Sequence, residues 1–274
     1  MDELHLKKEK LLSSLTKFGS AAVAFSGGVD STFLLTVAKE ALGQNIIALT
    51  ANISSFPKCE QTEAQEYCNS LGIKQLFVDI NQLEIDGFQT NPPNRCYLCK
   101  RRIFSEFLKV TAQCGINSVI EGSNVDDTKD YRPGRKALAE LGILSPLIDA
   151  DLTKQEIRLL SKEMNLPTWN KPSTPCLATR FEYGELLTLD KIALVEQAEQ
   201  LLHHLDFRQV RVRYHGKVAR IEIDPTDFGR ILSPDLRKKI HQALRDLGFS
   251  YVSLDLGGYI MGNMNTDIEA IKSY

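Results

Sequence analysis

The chain has 274 residues, enough for two modest domains, with 43% hydrophobic and 25% charged residues and a formal net charge of −2. Near-neutral charge excludes a global positive field that recruits nucleic acid, and no apolar run is long enough to span a bilayer. Met1-Asp2-Glu3-Leu4-His5 carries no signal-peptide pattern, so the expected compartment is cytoplasmic, and six cysteines read as thiols or metal ligands rather than a disulfide framework.

Residues 4–18 read as an amphipathic lead helix. A strand at 21–25 runs into Ser26-Gly27-Gly28-Val29-Asp30-Ser31 and then a helix over 30–42. The two glycines let the backbone approach a ligand closely, and the first-turn N–H groups and helix dipole favour an anion. Gly-x-x-x-x-Gly-Lys-Ser/Thr is absent, which excludes a Walker loop. Further strands at 46–50, 75–78 and 117–120 alternate with helices at 60–71 and 99–113. This predicts a parallel sheet covered by helices on both faces, with ligands beyond the strand carboxyl ends. The hexapeptide, Asn52-Ile53-Ser54 and Glu121-Gly122-Ser123-Asn124 all fall at such ends. Thr153-Lys154-Gln155-Glu156 is a capping box that opens a helix to Met164.

The expected division is a first domain at 1–165, a cysteine-bearing linker at 166–187, rich in Pro, Thr and Ser, and a small α/β domain at 188–274. The last part reads as a helix through Ile192–Leu202, a hairpin turning at His215-Gly216, a helix opened by Ser233-Pro234 and a strand at 251–254.

Cys96-Tyr97-Leu98-Cys99 forms a Cys-x-x-Cys pair on a Pro-rich loop entering a helix, and Cys176 lies in the irregular stretch. Such a pair suits a tetrahedral metal or one edge of an iron–sulfur cluster, with Cys176 as a third ligand. Spacing alone leaves a structural pair plus an unrelated loop cysteine equally open, and zinc needs a fourth ligand. Cys59, Cys68 and Cys114 read as buried small hydrophobes. Asp126, Asp127 and Asp130 suit a Mg²⁺ bound to phosphates, or a solvated polar loop. Arg211 and Arg213, two residues apart on a strand, present two planar forks suited to a phosphate, or simply form an exposed face. The five histidines show no metal spacing.

The hexapeptide resembles the PP-loop, which grips the pyrophosphate of ATP. Together with Asp130-Tyr131-Arg132-Pro133-Gly134, Trp169-Asn170-Lys171-Pro172, Cys176, Arg180-Phe181, Tyr183-Gly184 and Val210-Arg211-Val212-Arg213, it makes nearly the whole chain resemble the LarE-type sulfur transferases. The resemblance implies an α/β fold, with a parallel sheet of the PP-loop/adenine nucleotide alpha-hydrolase type and a smaller C-terminal α/β domain. It implies adenylation of a carboxylate of a pyridinium dicarboxylic acid mononucleotide and its conversion to a thiocarboxylate, in making a nickel-pincer cofactor for lactate racemisation. Ser26, Gly27, Gly28, Asp30, Ser31, Asn52, Ser54 and Gly122 would bind ATP, with Asp127 and Asp130 on Mg²⁺. Arg211 and Arg213 would hold the mononucleotide phosphate, with Arg132, Arg180, Glu199 and Glu222 nearby. Sulfur would come from a [4Fe–4S] cluster on Cys96, Cys99 and Cys176, or from a sacrificial Cys176. A homo-oligomer is implied, with no membrane or nucleic-acid partner.

Two departures stand out. Ile260 replaces a family arginine, and Pro175 precedes Cys176 where small residues are the rule. Alternative readings are a PP-loop tRNA-thiolating enzyme, against which the charge argues, an amidating synthetase of the NAD or GMP synthesis type, which needs no cysteine trio, and a non-catalytic nucleotide sensor.

Overall fold

The structure is a computed structural model and describes residues 2–56, 58–128 and 133–260; the side chains of Lys58 and Cys59 are outside that description. Two compact units emerge. The first takes the chain up to Ile85 together with Asn94–Thr174; the second takes Asp86–Pro93 and the chain from Pro175 onward.

The first unit is built on four strands, β1 (Ala21–Ala24), β2 (Ile46–Asn52), β3 (Lys74–Asp79) and β4 (Val119–Ile120), in the order β3-β2-β1-β4. Every pairing is parallel, with Ala22 opposite both Ile47 and Val119. Central β1 is fully buried at Ala21, Ala22 and Val23, because helices cover both faces and leave no polar side to alternate with. The helices are α1 (Glu3–Thr16), α2 (Val29–Leu42), α3 (Lys58–Ser70), α4 (Arg95–Gln113), α5 (Gly134–Glu140), α6 (Pro146–Asp149) and α7 (Lys154–Glu163). α2 buries Phe33, Leu34, Leu35, Val37 and Ala38 over more than one face, as suits a helix wedged between the sheet and outer helices. The capping box of α7 is formed in both directions: the Glu156 N–H donates to Thr153 Oγ1, and the Thr153 N–H to Glu156 Oε2 at 2.8 Å.

β1 is the strand from which the chain departs in both directions, to β2 on one side and to β4 on the other. The loops after β1 and β4 therefore diverge and open a crevice at their carboxyl ends. That crevice carries the hexapeptide.

The second unit pairs α8 (Leu189–His204), α9 (Phe228–Ile231) and α10 (Pro234–Asp246) with the sheet β5 (Val210–His215), β6 (Val218–Ile223) and β7 (Tyr251–Leu254), in the order β5-β6-β7. β5 and β6 form the expected hairpin, and β7 joins β6 in parallel. Its core gathers Leu202, Phe207, Val212, Ile221, Leu244 and Phe249. Among the described residues no helix is long and apolar enough to cross a membrane.

Two local expectations change. α4 begins at Arg95, so Cys96 and Cys99 lie inside its first turns rather than on the loop before it. Cys114 is exposed, not buried, because it caps the carboxyl end of α4 where the chain turns away at Gly115 with φ +67°.

Candidate active site

Phe25 still follows the β1–β2 ladder, its N–H donating to the Leu49 carbonyl at 2.8 Å. The chain then leaves the sheet. Gly27 takes φ +70°, and a side chain there would press on the Ala64 Cβ at 3.2 Å. Gly28 caps α2 with no side-chain hydrogen bond, so the first amides of α2 remain for a ligand. Ser31 folds back to brace the loop: its Oγ donates to the Gly28 carbonyl at 3.2 Å and lies 3.1 Å from Ser26 Oγ.

Gly122, at the end of β4, has a spatial reason for being glycine. A Cβ there would stand 3.1 Å from the Ser31 amide nitrogen and 3.3 Å from Asp30 Cβ. Next to it the buried Glu121 carboxylate accepts Ser145 Oγ at 2.5 Å and Ser123 Oγ at 2.8 Å, fixing the loop. Asp30 accepts from Asn124 Nδ2 at 3.3 Å and pairs with Lys154.

A cavity of about 330 Å³ opens beside the loop, lined by Ser26, Gly28, Asp30 and Ser31 on one side and by apolar Leu49, Ile53 and Phe104 on another. Gly122 and Asp127 also line it. Asp127 is 9% exposed and accepts the Asn124 N–H at 3.0 Å. Asn52 instead bonds Asp79 at 2.6 Å and accepts from Gln61 at 3.2 Å. Ser54 keeps a buried hydroxyl without a hydrogen-bond partner. Asp130 and Arg132 lie outside the described residues, as do the Cys59 side chain and Met261–Asn265.

Cys96 and Cys99 stand one turn apart at the start of α4, Cys96 exposed and Cys99 half-buried. Fully buried Gln82 donates from Nε2 to Cys99 Sγ at 3.0 Å, while its Oε1 accepts Ser55 Oγ at 2.6 Å. Two thiols at this spacing, one already receiving an N–H···S bond, suit a cluster edge. Among the described residues, no three His, Cys, Asp or Glu side chains form a ready metal-binding group.

In the second unit, Cys176 precedes a short 3₁₀ turn, Leu177–Arg180. Arg180 is 1% exposed and locks that turn. Its Nη1 donates to the Pro175 carbonyl at 2.8 Å and the Cys176 carbonyl at 3.3 Å, and its Nε and Nη2 fork onto Glu199, both at 2.8 Å. Glu199 Oε1 also takes the Val212 N–H at 2.9 Å. Arg213 makes a second fork onto fully buried Glu222, at 3.0 and 2.8 Å, and reaches the Thr179 carbonyl at 2.6 Å. Arg211 shares their face of β5, its guanidinium 5.0 Å from the Tyr259 ring centre. Burial first, then repulsion from Arg180, push its pKa down against the pull of Glu199. Arg220 joins from β6, its Nη1 3.2 Å from Glu222 Oε1, and pairs with Asp255, so the cluster holds four guanidiniums and three carboxylates. Ile260, which follows Tyr259, is 53% exposed.

Sequence reading missed Gln82 and the bridging role of Lys171. Gln82 carries no motif; Lys171 belonged to a recognised motif, but its partners, Glu60 and Glu63, sit on a distant helix.

A switch-point sheet with a glycine loop and an uncapped helix behind it defines an ATP-using enzyme of the PP-loop class. The family model for "Queuosine biosynthesis protein QueC" matches residues 20–90, which hold the loop. The chain is 38% identical over 266 residues to a pyridinium-3,5-bisthiocarboxylic acid mononucleotide synthase of Lactiplantibacillus plantarum, covering 97% of this chain and 96% of the relative. It is 39% identical over 262 residues to an uncharacterized protein of Synechocystis sp., covering 96% and 98%, and 29% identical over 255 residues to one of Methanocaldococcus jannaschii, covering 93% and 96%. The chain belongs to the LarE-type ATP-dependent sulfur transferases.

Proposed function

We propose that this enzyme adenylates a carboxylate of pyridinium-3,5-biscarboxylic acid mononucleotide and replaces its oxygen with sulfur, as a step toward a nickel-pincer cofactor for lactate racemase. The observation that carries the reading is the bare N-terminus of α2 behind Gly27-Gly28, facing a cavity with an apolar wall fit for a nucleoside. A carboxylate oxygen attacks the α-phosphorus of ATP; the bond to the β-phosphate breaks and its electron pair leaves with pyrophosphate. The acyl adenylate then has AMP as leaving group. Asp127 and Asp30 would serve Mg²⁺ on the phosphates, with Asp130 as the further candidate.

The acceptor's phosphate is assigned to Arg211 and Arg213 on β5. A buried guanidinium beside a second one gains most from an incoming dianion. Arg180, Glu199 and Glu222 act by holding these groups and the Cys176 turn in place. For the sulfur we propose a [4Fe–4S] cluster, for which Cys96, Cys99 and Cys176 are the candidate ligands; when bound it would supply the sulfur nucleophile. In the first unit Gln82 fixes Cys99, and in the second Arg180 fixes the backbone of Cys176. A cytoplasmic homo-oligomer completes the proposal.

Pyrophosphate release is the test. It should require the mononucleotide dicarboxylate, and release that is the same without any acid would refute the reading. Anaerobically prepared protein should be brown, with iron and acid-labile sulfide, and Cys96→Ala should lose both. A Cys96→Ala protein that retains activity would refute the cluster and leave Cys176 as the sacrificial donor, with a loss of H₂S in its mass after turnover.

A further inference from the structure

A second cavity, about 170 Å³, lies against the other side of the hexapeptide. It shares Ser26, Gly28, Asp30 and Phe56 with the first, so the two meet over the loop. Their linings differ in kind. The first is lined largely by apolar side chains, Leu49, Ile53 and Phe104 among them, with Lys100 as its cation; the second gathers three cations, Lys154, Arg158 and Lys171, with Asp30 and Glu60 as its carboxylates. A purine has no use for three cations, and a polyphosphate cannot desolvate into an apolar wall.

From this asymmetry, and resting on the adenylation reading above, we propose that Lys154 and Lys171 are the side chains that take the β- and γ-phosphates of ATP beside the loop, each exchanging its carboxylate partners for phosphate oxygens. Both ammonium groups are held beside the loop by acids. Lys154 pairs with Asp30, and Lys171 Nζ lies 2.6 Å from both Glu60 Oε2 and Glu63 Oε2 and 3.4 Å from the Gly27 carbonyl. Burial works against the Lys171 charge, but its bonds to Glu60 and Glu63 prevail and hold its pKa above the ordinary lysine value. When the phosphates arrive, Lys154 turns from Asp30 to a phosphate oxygen and frees the Asp30 carboxylate for the accompanying Mg²⁺. Arg158 is a positioning residue: its Nη1 and Nη2 donate to the carbonyls of Trp169 and Lys171, both at 2.8 Å, and so fix the segment that carries Lys171. The charge that builds on the departing bridging oxygen as the α–β bond breaks meets two ammonium groups, while the nucleoside stays on the apolar side.

Calorimetric titration of the full chain with magnesium pyrophosphate and, separately, with AMP tests this. Lys154→Met and Lys171→Met should each weaken pyrophosphate about 10- to 100-fold, the loss of one charge-assisted hydrogen bond. AMP affinity should stay within about 2-fold, since neither lysine lines the nucleoside cavity. Lys154→Arg should restore most of the pyrophosphate binding. Lys154→Met binding pyrophosphate as tightly as the parent, with an unchanged melting temperature, overturns the proposal. If Lys171→Met also loses AMP, its segment has collapsed and Lys154→Met decides. A parent protein that binds neither probe refutes the adenylation reading instead.

Discussion

Glu199→Ala isolates the buried ion pair that holds the Cys176 turn. The Arg180 side chain is 0% exposed and that of Glu199 8%, so water screens neither. Removing the carboxylate leaves Arg180 charged in the interior, takes away two 2.8 Å bonds and orphans the Val212 N–H. Breaking one side of such a pair costs about 3–5 kcal/mol. With a urea dependence of about 1.5 kcal/mol/M for a unit of this size, the transition of the second unit should move down by about 2–3 M. Circular dichroism through a urea series reads it. The double variant Arg180→Leu/Glu199→Leu removes both charges and should recover at least half of the loss. It should still fail at sulfur transfer, because the Pro175 and Cys176 carbonyls have lost the Arg180 donor. A Glu199→Ala cost below about 1 kcal/mol, the range of a solvent-screened surface pair, would refute the reasoning.

Gly122→Ala forces a methyl against Ser31 and Asp30; stability should fall by about 1–3 kcal/mol, with ATP affinity, read by calorimetry, falling at least tenfold. Cys68 is fully buried and its pKa is pushed up to about 12 by desolvation, so iodoacetamide at pH 8 should label exposed Cys114 and spare Cys68 until the protein unfolds; mass mapping distinguishes them. Burial raises the Glu156 pKa, but its bonds to Lys7 and Thr153 outweigh burial and hold it below the ordinary value of 4.5. Its contribution is therefore full above about pH 5 and fades as pH falls through the folded value, so Glu156→Gln should cost more stability at pH 6 than at pH 3.

The alternation of strands and helices through residue 120 was legible because parallel, doubly covered strands are short continuous apolar runs, as in Ala21–Ala24 and Ile46–Leu49. The loop was legible because Gly27 must take φ +70° and Gly28 must leave α2 uncapped, demands that few residue types meet. What stayed hidden depends on pairing across the fold. Asp86–Pro93 belongs with the second unit through bonds such as Leu187 N–H to the Gln89 carbonyl at 2.8 Å, which no local pattern announces. Likewise Arg180 and Arg213 read as binding groups in isolation, and only the fold gives each a carboxylate partner, Glu199 and Glu222. Lys154 was visible as part of a capping box, but its meeting with Asp30 is set by how α7 packs on α2.

The central claim is an ATP-driven exchange of sulfur for oxygen on a carboxylate. Anaerobic protein, ATP, Mg²⁺ and pyridinium-3,5-biscarboxylic acid mononucleotide, followed by mass spectrometry of the acceptor and quantification of AMP, test it together. The account predicts an acceptor heavier by the difference between sulfur and oxygen, with one AMP formed per exchange. AMP formation with an acceptor of unchanged mass, or a thiocarboxylate formed without ATP, would contradict it.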